Sequence, residues 1–247
     1  MAASEGRRLS KELTLLDVYA IGTGSMLSAG FFLLPGIAAS KTGSSVVLAY
    51  FLASVLAVPA LLSKAELATA MPRAGGVYYF LDRSLGPIVG TIGGLGTWLV
   101  LVLKSAFALI GMGYYLALVL NFPPEWVAAT LTGLFVILNV LGAKESSGLL
   151  RVLVSVVLAV LALLFLQGGL ALLGGPGADA FHGSPEPFLT HEGQGLVFTI
   201  GLVFISFAGP IKVVSISEEV QNPDRNLPLG MFLALVTASA VYVIGVW

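Results

Sequence analysis

Two lysines stand where lysines are costly. Lys104 sits near the middle of an apolar run covering 87–120, and Lys212 lies inside another covering 193–216. A charged side chain at the centre of a bilayer costs at least about 2.5–3.5 kcal/mol, so each should face protein, a partner or a water-filled cavity. Lys104 could be a fixed cation in place of sodium, a proton-titrating group, a contact for an anionic substrate group, or half of a structural pair with a carboxylate. Lys212 could pair with Glu66, or with Glu218 or Glu219, or take part in ion coupling.

Two runs are also interrupted by residues that weaken a helix. The first contains Gly22-Thr23-Gly24-Ser25-Met26-Leu27-Ser28-Ala29-Gly30, with glycines and serines at membrane depth. Each glycine costs about 1 kcal/mol relative to alanine in a helix, so the stretch favours a locally unwound backbone. Backbone left unpaired in lipid must face protein or a water-filled cavity. Amides at the start of the second half-helix would then point at an anion, most naturally a substrate carboxylate. The sixth run contains Ser206-Phe207-Ala208-Gly209-Pro210-Ile211-Lys212, where proline removes a donor and kinks the chain. Taken singly, the first stretch also reads as a tightly packed helix and the second as an ordinary proline kink.

Other chemistry finds few residues to work with. Cysteine is absent, and both histidines, His182 and His191, lie in one polar segment without a recognisable ligand set, so no metal or organic cofactor is expected. Glu218-Glu219 is the only adjacent acidic pair and sits at an interface, which leaves a membrane-embedded enzyme as a poorly supported alternative. A non-transporting membrane scaffold or fragment is another. Net charge is −1, giving no basic excess for nucleic acid.

The elements that must position these residues are membrane spans. The 247 residues are 57% hydrophobic and 10% charged, against about 25% charged in soluble domains, and the mean hydropathy is +0.98. Apolar runs long enough to cross a bilayer lie near 16–40, 45–70, 87–120, 125–142, 149–174 and 193–216, and another starts at Pro228. Gly90 and Gly94, four residues apart, suit close helix packing. The apolar run after the polar N-terminus reads as a retained span rather than a signal peptide. Placing the N-terminus in the cytoplasm puts Arg7, Arg8, Lys11, Arg73, Arg83, Lys144 and Arg225 inside and only Lys41 outside, with Glu125, Asp179, Glu186 and Glu192. The expected layout is a cytoplasmic segment 1–12, a first five-helix repeat 13–174, an extracellular loop 175–192, and the start of a second, inverted repeat 193–247, in the plasma membrane. Matching breaks in spans one and six, which cross in opposite directions, point to an inverted-repeat secondary transporter with a midplane site.

Three motifs carry a resemblance to a known family. They are Gly22-Thr23-Gly24-Ser25-Met26-Leu27-Ser28-Ala29-Gly30-Phe31-Phe32-Leu33-Leu34-Pro35-Gly36; Ala65-Glu66-Leu67-Ala68 with Met71-Pro72-Arg73-Ala74-Gly75-Gly76-Val77-Tyr78-Tyr79; and Glu218-Glu219-Val220-Gln221-Asn222-Pro223-Asp224-Arg225-Asn226-Leu227-Pro228. From Leu9 onward the chain resembles the amino acid–polyamine–organocation (APC) permeases. The resemblance implies an all-α, leucine-transporter-like fold, of which this chain holds the first repeat, helix 6 and part of helix 7. It implies a permease for amino acids or related amines, coupled to protons or sodium, with protons preferred.

By the same resemblance, Ser28, Ala29 and Gly30 would offer amides to a substrate carboxylate, while Ser206, Phe207, Ala208 and Gly209 would offer carbonyls to an amino group and line the pocket. Gly24 and Leu27 match backbone positions of a cation site whose remainder lies on a later helix. Some proton-coupled relatives carry a lysine in span five, where this chain has Val157; an aromatic gate common in relatives is replaced by Pro210. Glu66, expected to be buried toward the cytoplasmic end of span two, is an inner-gate candidate together with Glu218, Glu219 and Arg225. The chain ends at Trp247 within an apolar run, so a fragment, truncated frame or split transporter is expected, its partners being the lipid bilayer, a small amino acid or amine, and a missing C-terminal half.

Overall fold

The computed structural model describes residues 10–120, 122–141, 146–174 and 194–246. Arg7, Arg8, Lys144, Asp179, Glu186, Glu192, both histidines, the 175–192 loop and Trp247 lie outside the described residues. Helices dominate: α1 (Leu15–Phe32), α2 (Leu34–Thr42), α3 (Val46–Ala70), α4 (Gly76–Leu85), α5 (Pro87–Leu120), α6 (Pro124–Leu141), α7 (Ser146–Leu172), α8 (Gln194–Phe204), α9 (Pro210–Ser215) and α10 (Pro223–Gly245). Six described segments are long and apolar enough to cross a membrane. The protein is an all-α, multi-pass membrane protein.

The spans divide into two groups by packing. The windows of spans one, two, six and seven are 44–47% buried, whereas α5 and α7 are 6% and 11% buried. The buried group meets through small residues. On α10, Leu227, Gly230, Met231, Ala234, Leu235, Ala238, Val241 and Tyr242 recur at helical spacing on one buried face. A Cβ on Gly22 would lie 2.9 Å from the Ala234 Cβ, and one on Gly230 would lie 2.5 Å from a Val18 methyl. Hydrophobic burial does little between helices in lipid, so this close approach and its dispersion contacts hold the spans together. The outer faces of α5, α6 and α7 carry exposed Trp98, Leu103, Trp126, Val140 and Leu163.

Two boundaries differ from the sequence expectation. The 71–86 connection, left between two apolar runs, contains α4, which is capped at Gly75 with φ +117°. A search for membrane-length apolar runs passes over a short amphipathic helix. Gly90, Gly93 and Gly94 of α5 let it pack on α4, against Asp82, Leu81 and Tyr78. The last span begins at Pro223, not Pro228. Asn222 takes a left-handed conformation (φ +45°), one that asparagine tolerates better than most residues. Its carbonyl accepts from Arg225 N and Asn226 N at 3.1 and 2.9 Å, starting the helix five residues earlier and leaving Pro228 inside it.

The N-terminal strap joins the loop after the sixth span. Glu12 N and Leu13 N both donate to Glu219 O at 2.9 Å, and Gln221 N donates to Leu13 O at 2.8 Å. Thr14 and Asp17 open α1 as part of a capping box, Thr14 N donating to Asp17 Oδ2 at 2.9 Å. Arg151 of α7 contacts the other Asp17 oxygen at 2.8 Å, pinning the start of α1.

Candidate functional site

Both interrupted spans are broken, by different means. In α1 the deviation falls on Ser28 (φ −53°, ψ −133°), between the glycines. A second interruption at Leu33 separates α1 from α2, with Pro35 in the first turn of α2. The sixth span passes from α8 through a 3₁₀ turn at Ile205–Phe207 into α9, which starts at Pro210. Ala208 N donates to Ile205 O at 3.2 Å, so that break closes part of its backbone locally.

The breaks touch each other. A Cβ on Gly30 would collide with the Tyr242 hydroxyl and lie 2.6 Å from Ser206 Oγ, and one on Gly209 would lie 2.6 Å from Met26 Cγ and 2.7 Å from Gly22 O. Side chains from other helices take up the carbonyls that the first break frees. Tyr242 donates to Met26 O at 2.6 Å. Lys104 Nζ donates to Ser25 O at 2.7 Å. Tyr115 donates to Phe32 O at 2.6 Å, and Tyr50 reaches Gly30 O at a long 3.4 Å. Tyr50 also stacks on Tyr242, with ring centres 4.9 Å apart.

A cavity of about 210 Å³ opens beside the first break, lined by Ile21, Gly24, Ser25, Ser28, Leu101, Lys104, Ser105, Ala108, Leu150 and Lys212. Of the sequence candidates, it gathers Gly24, Ser28, Lys104 and Lys212. Leu27, Gly30, Ser206, Phe207 and Gly209 are buried in the packing between spans, and Ala208 is half-buried. Ala29 follows the distorted Ser28. Gly22, Gly30 and Gly209 are where the spans press together, while Gly24 lines the open space with Ser25 and Ser28.

The charged candidates separate. Among the described residues Lys212 makes no ion pair with Glu66, Glu218 or Glu219, and Lys104 holds a backbone carbonyl rather than a carboxylate. Glu66, expected to be buried, is exposed on α3 because the buried face of that helix runs through Leu61, Ala65 and Ala68. Glu218 accepts the Ala74 amide at 2.7 Å, tying the turn before α4 to the segment after α9. Glu219 contributes its carbonyl to the strap. Arg225 is exposed and forms no ion pair among the described residues.

Sequence reasoning missed Tyr242, Tyr50, Tyr115 and the Asp17–Arg151 pair. The available signal was a tyrosine within an otherwise apolar helix, since a phenol hydroxyl taken out of water needs a partner.

A broken first span packs on a broken sixth, and sequence similarity adds the family. Residues 17–247 match the family model described as "Amino acid permease". The chain belongs to this family, a branch of the APC superfamily. It is similar to an uncharacterized transporter of Mycobacterium tuberculosis, 32% identical over 95% of this chain and 51% of that protein. The vacuolar cationic amino acid transporter 4 of Arabidopsis thaliana is 31% identical over 96% of this chain and 42% of its own length. The branched-chain amino acid permease BcaP of Bacillus subtilis is 30% identical over 98% and 55%. This permease-family chain therefore spans about half the length of the curated relatives it matches, and its kinship is with transporters rather than enzymes.

Proposed function

We propose that the protein is a secondary active transporter for an amino acid or related amine, with its site at mid-membrane where the broken first and sixth spans meet. The observation that carries this reading is the contact of Gly30 with Ser206 and of Gly209 with Gly22 and Met26, with a cavity opening at Ser25 and Ser28 beside it. The amides of Ser28, Ala29 and Gly30 receive the substrate carboxylate, and carbonyls of Ser206, Phe207, Ala208 and Gly209 receive its amino group once the two spans separate, since here that stretch is packed away from the cavity. Gly24, which lines the cavity, and the buried Leu27 are the backbone positions assigned to a coupling cation.

Chain direction supports two inverted repeats, residues 13–174 and a second beginning at 193, with the remainder of the second repeat on a C-terminal half outside this chain. On the lysine and arginine distribution the N-terminus is cytoplasmic, and the membrane we assign is the plasma membrane. Alternating access is movement of the buried group, spans one, two, six and seven, against the sparsely packed α5 and α7. The strap at Leu13 and the Glu218–Ala74 contact form an inner gate that must part for release. The proton is the preferred coupling ion, with Lys104 or Lys212 carrying or compensating its charge.

Uptake of amino acids into proteoliposomes by the complete protein, with the C-terminal half included, tests the reading. Saturable uptake that rises with an imposed proton gradient, and not with sodium, is the expected result. Absence of saturable uptake under either gradient contradicts transport; a sodium requirement overturns proton coupling alone.

A further inference from the structure

Lys104 and Lys212 reach one cavity from two different helices, and no carboxylate lines that cavity among the described residues. We propose that the cavity is an anion subsite that receives the side-chain carboxylate of an acidic amino acid, or the equivalent group of a small dicarboxylate, and disfavours cationic amino acids. The proposal rests on the transporter reading and names its substrate class.

The donor inventory supports it. A lysine ammonium has three donors and no acceptor. Lys104 spends one on Ser25 O at 2.7 Å. Lys212 has no hydrogen-bond or ion-pair partner for its side chain among the described residues, where the one ion pair is Arg151–Asp17. Two ammonium groups facing one space repel each other, and a cationic ligand would add a third positive charge to a site without a counter-ion. A carboxylate would instead accept from both and relieve the repulsion. Three hydroxyls, on Ser25, Ser28 and Ser105, line the same space. Ser28 and Ser105 already donate to the carbonyls of Ser25 and Leu101, at 3.2 and 2.9 Å. The donors left for a ligand therefore come chiefly from the lysines.

Size and position agree. At about 210 Å³ the cavity is smaller than the roughly 300–1,000 Å³ of drug-sized pockets, which suits a small metabolite. It begins at Ser28, where the α1 break would hold the main-chain carboxylate, so a second carboxylate a few bonds away falls toward the lysines.

Thermal unfolding of the purified protein is measured in sodium gluconate with L-glutamate, L-leucine or L-arginine, alongside uptake of the same amino acids. Glutamate should bind at least about tenfold more tightly than arginine. In Lys212→Gln the glutamate affinity should fall at least about tenfold further than the leucine affinity. Lys104→Arg, which retains charge and donors if Lys104→Met fails to fold, should keep the preference for glutamate. Tighter binding of leucine or arginine than of glutamate overturns the anion subsite and leaves the transporter reading standing. If chloride alone reproduces the shift and glutamate adds nothing, the subsite holds an inorganic anion and the acidic-substrate inference fails. If no amino acid shifts the melting and none is taken up, both readings fail.

Discussion

The two broken spans reach the same outcome by opposite routes. The sixth encodes its break locally: a 3₁₀ turn, then a glycine, then a proline that cannot donate to the preceding turn. The first is held open by its neighbours. Its distorted residue is a serine, and phenols on α3, α5 and α10 together with Lys104 occupy the carbonyls around it. A break made by composition is stable wherever the chain goes. A break stitched by distant side chains exists only when those helices are in place, so it is the one whose geometry can change as they move.

Substitutions can break or sharpen this contrast. The largest effect is expected at Gly209→Ala. Its new Cβ would lie 2.7 Å from Gly22 O, a backbone atom that cannot swing aside. Overpacking of this kind costs about 1–3 kcal/mol, visible as a lower melting temperature in detergent together with lost uptake. Gly30→Ala should follow closely and differ in kind, because the Tyr242 hydroxyl it displaces also leaves Met26 O without its donor. Tyr242→Phe isolates that second part. It removes only the hydrogen bond and should cost about 1–2 kcal/mol from the unsatisfied buried carbonyl, with the Tyr50 stack preserved. Tyr50→Phe should cost below about 0.5 kcal/mol, since its 3.4 Å contact with Gly30 O is too long to contribute a full hydrogen bond. The smallest effect is expected at Pro210→Ala. Gly209 and the 3₁₀ turn remain in the chain, so the break and uptake should persist; loss of both would show that the sixth break depends on proline alone.

The sequence exposed the fold at the scale of spans because apolar length and the position of glycine and proline are local properties. Span limits matched to within a few residues except at α10, where the choice between Pro223 and Pro228 turned on whether Asn222 would adopt positive φ. The site was legible in part. Glycines marked the two breaks, and Lys104 and Lys212 stood out by their cost in lipid. Which face opens was not legible: Gly22, Gly30 and Gly209 permit close contact and so lie where the spans press together, while Gly24 borders the cavity with Ser25 and Ser28. The stitching tyrosines were hidden because Tyr242 meets Met26 across 216 positions in the chain, a pairing that only the packed helices create. Glu66 shows the converse error, since its burial depended on which side of α3 met α10.

Thiol labelling tests the central claim most directly, because the chain contains no cysteine of its own. Single Ser28→Cys and Ser206→Cys proteins are exposed to a small, water-soluble thiol reagent with and without a mixture of amino acids. The structure predicts that Ser28→Cys is modified and is protected by amino acid, while Ser206→Cys stays shielded between the spans. Equal reactivity at both positions, or modification of Ser28→Cys that no amino acid slows, would contradict a substrate site at the first break.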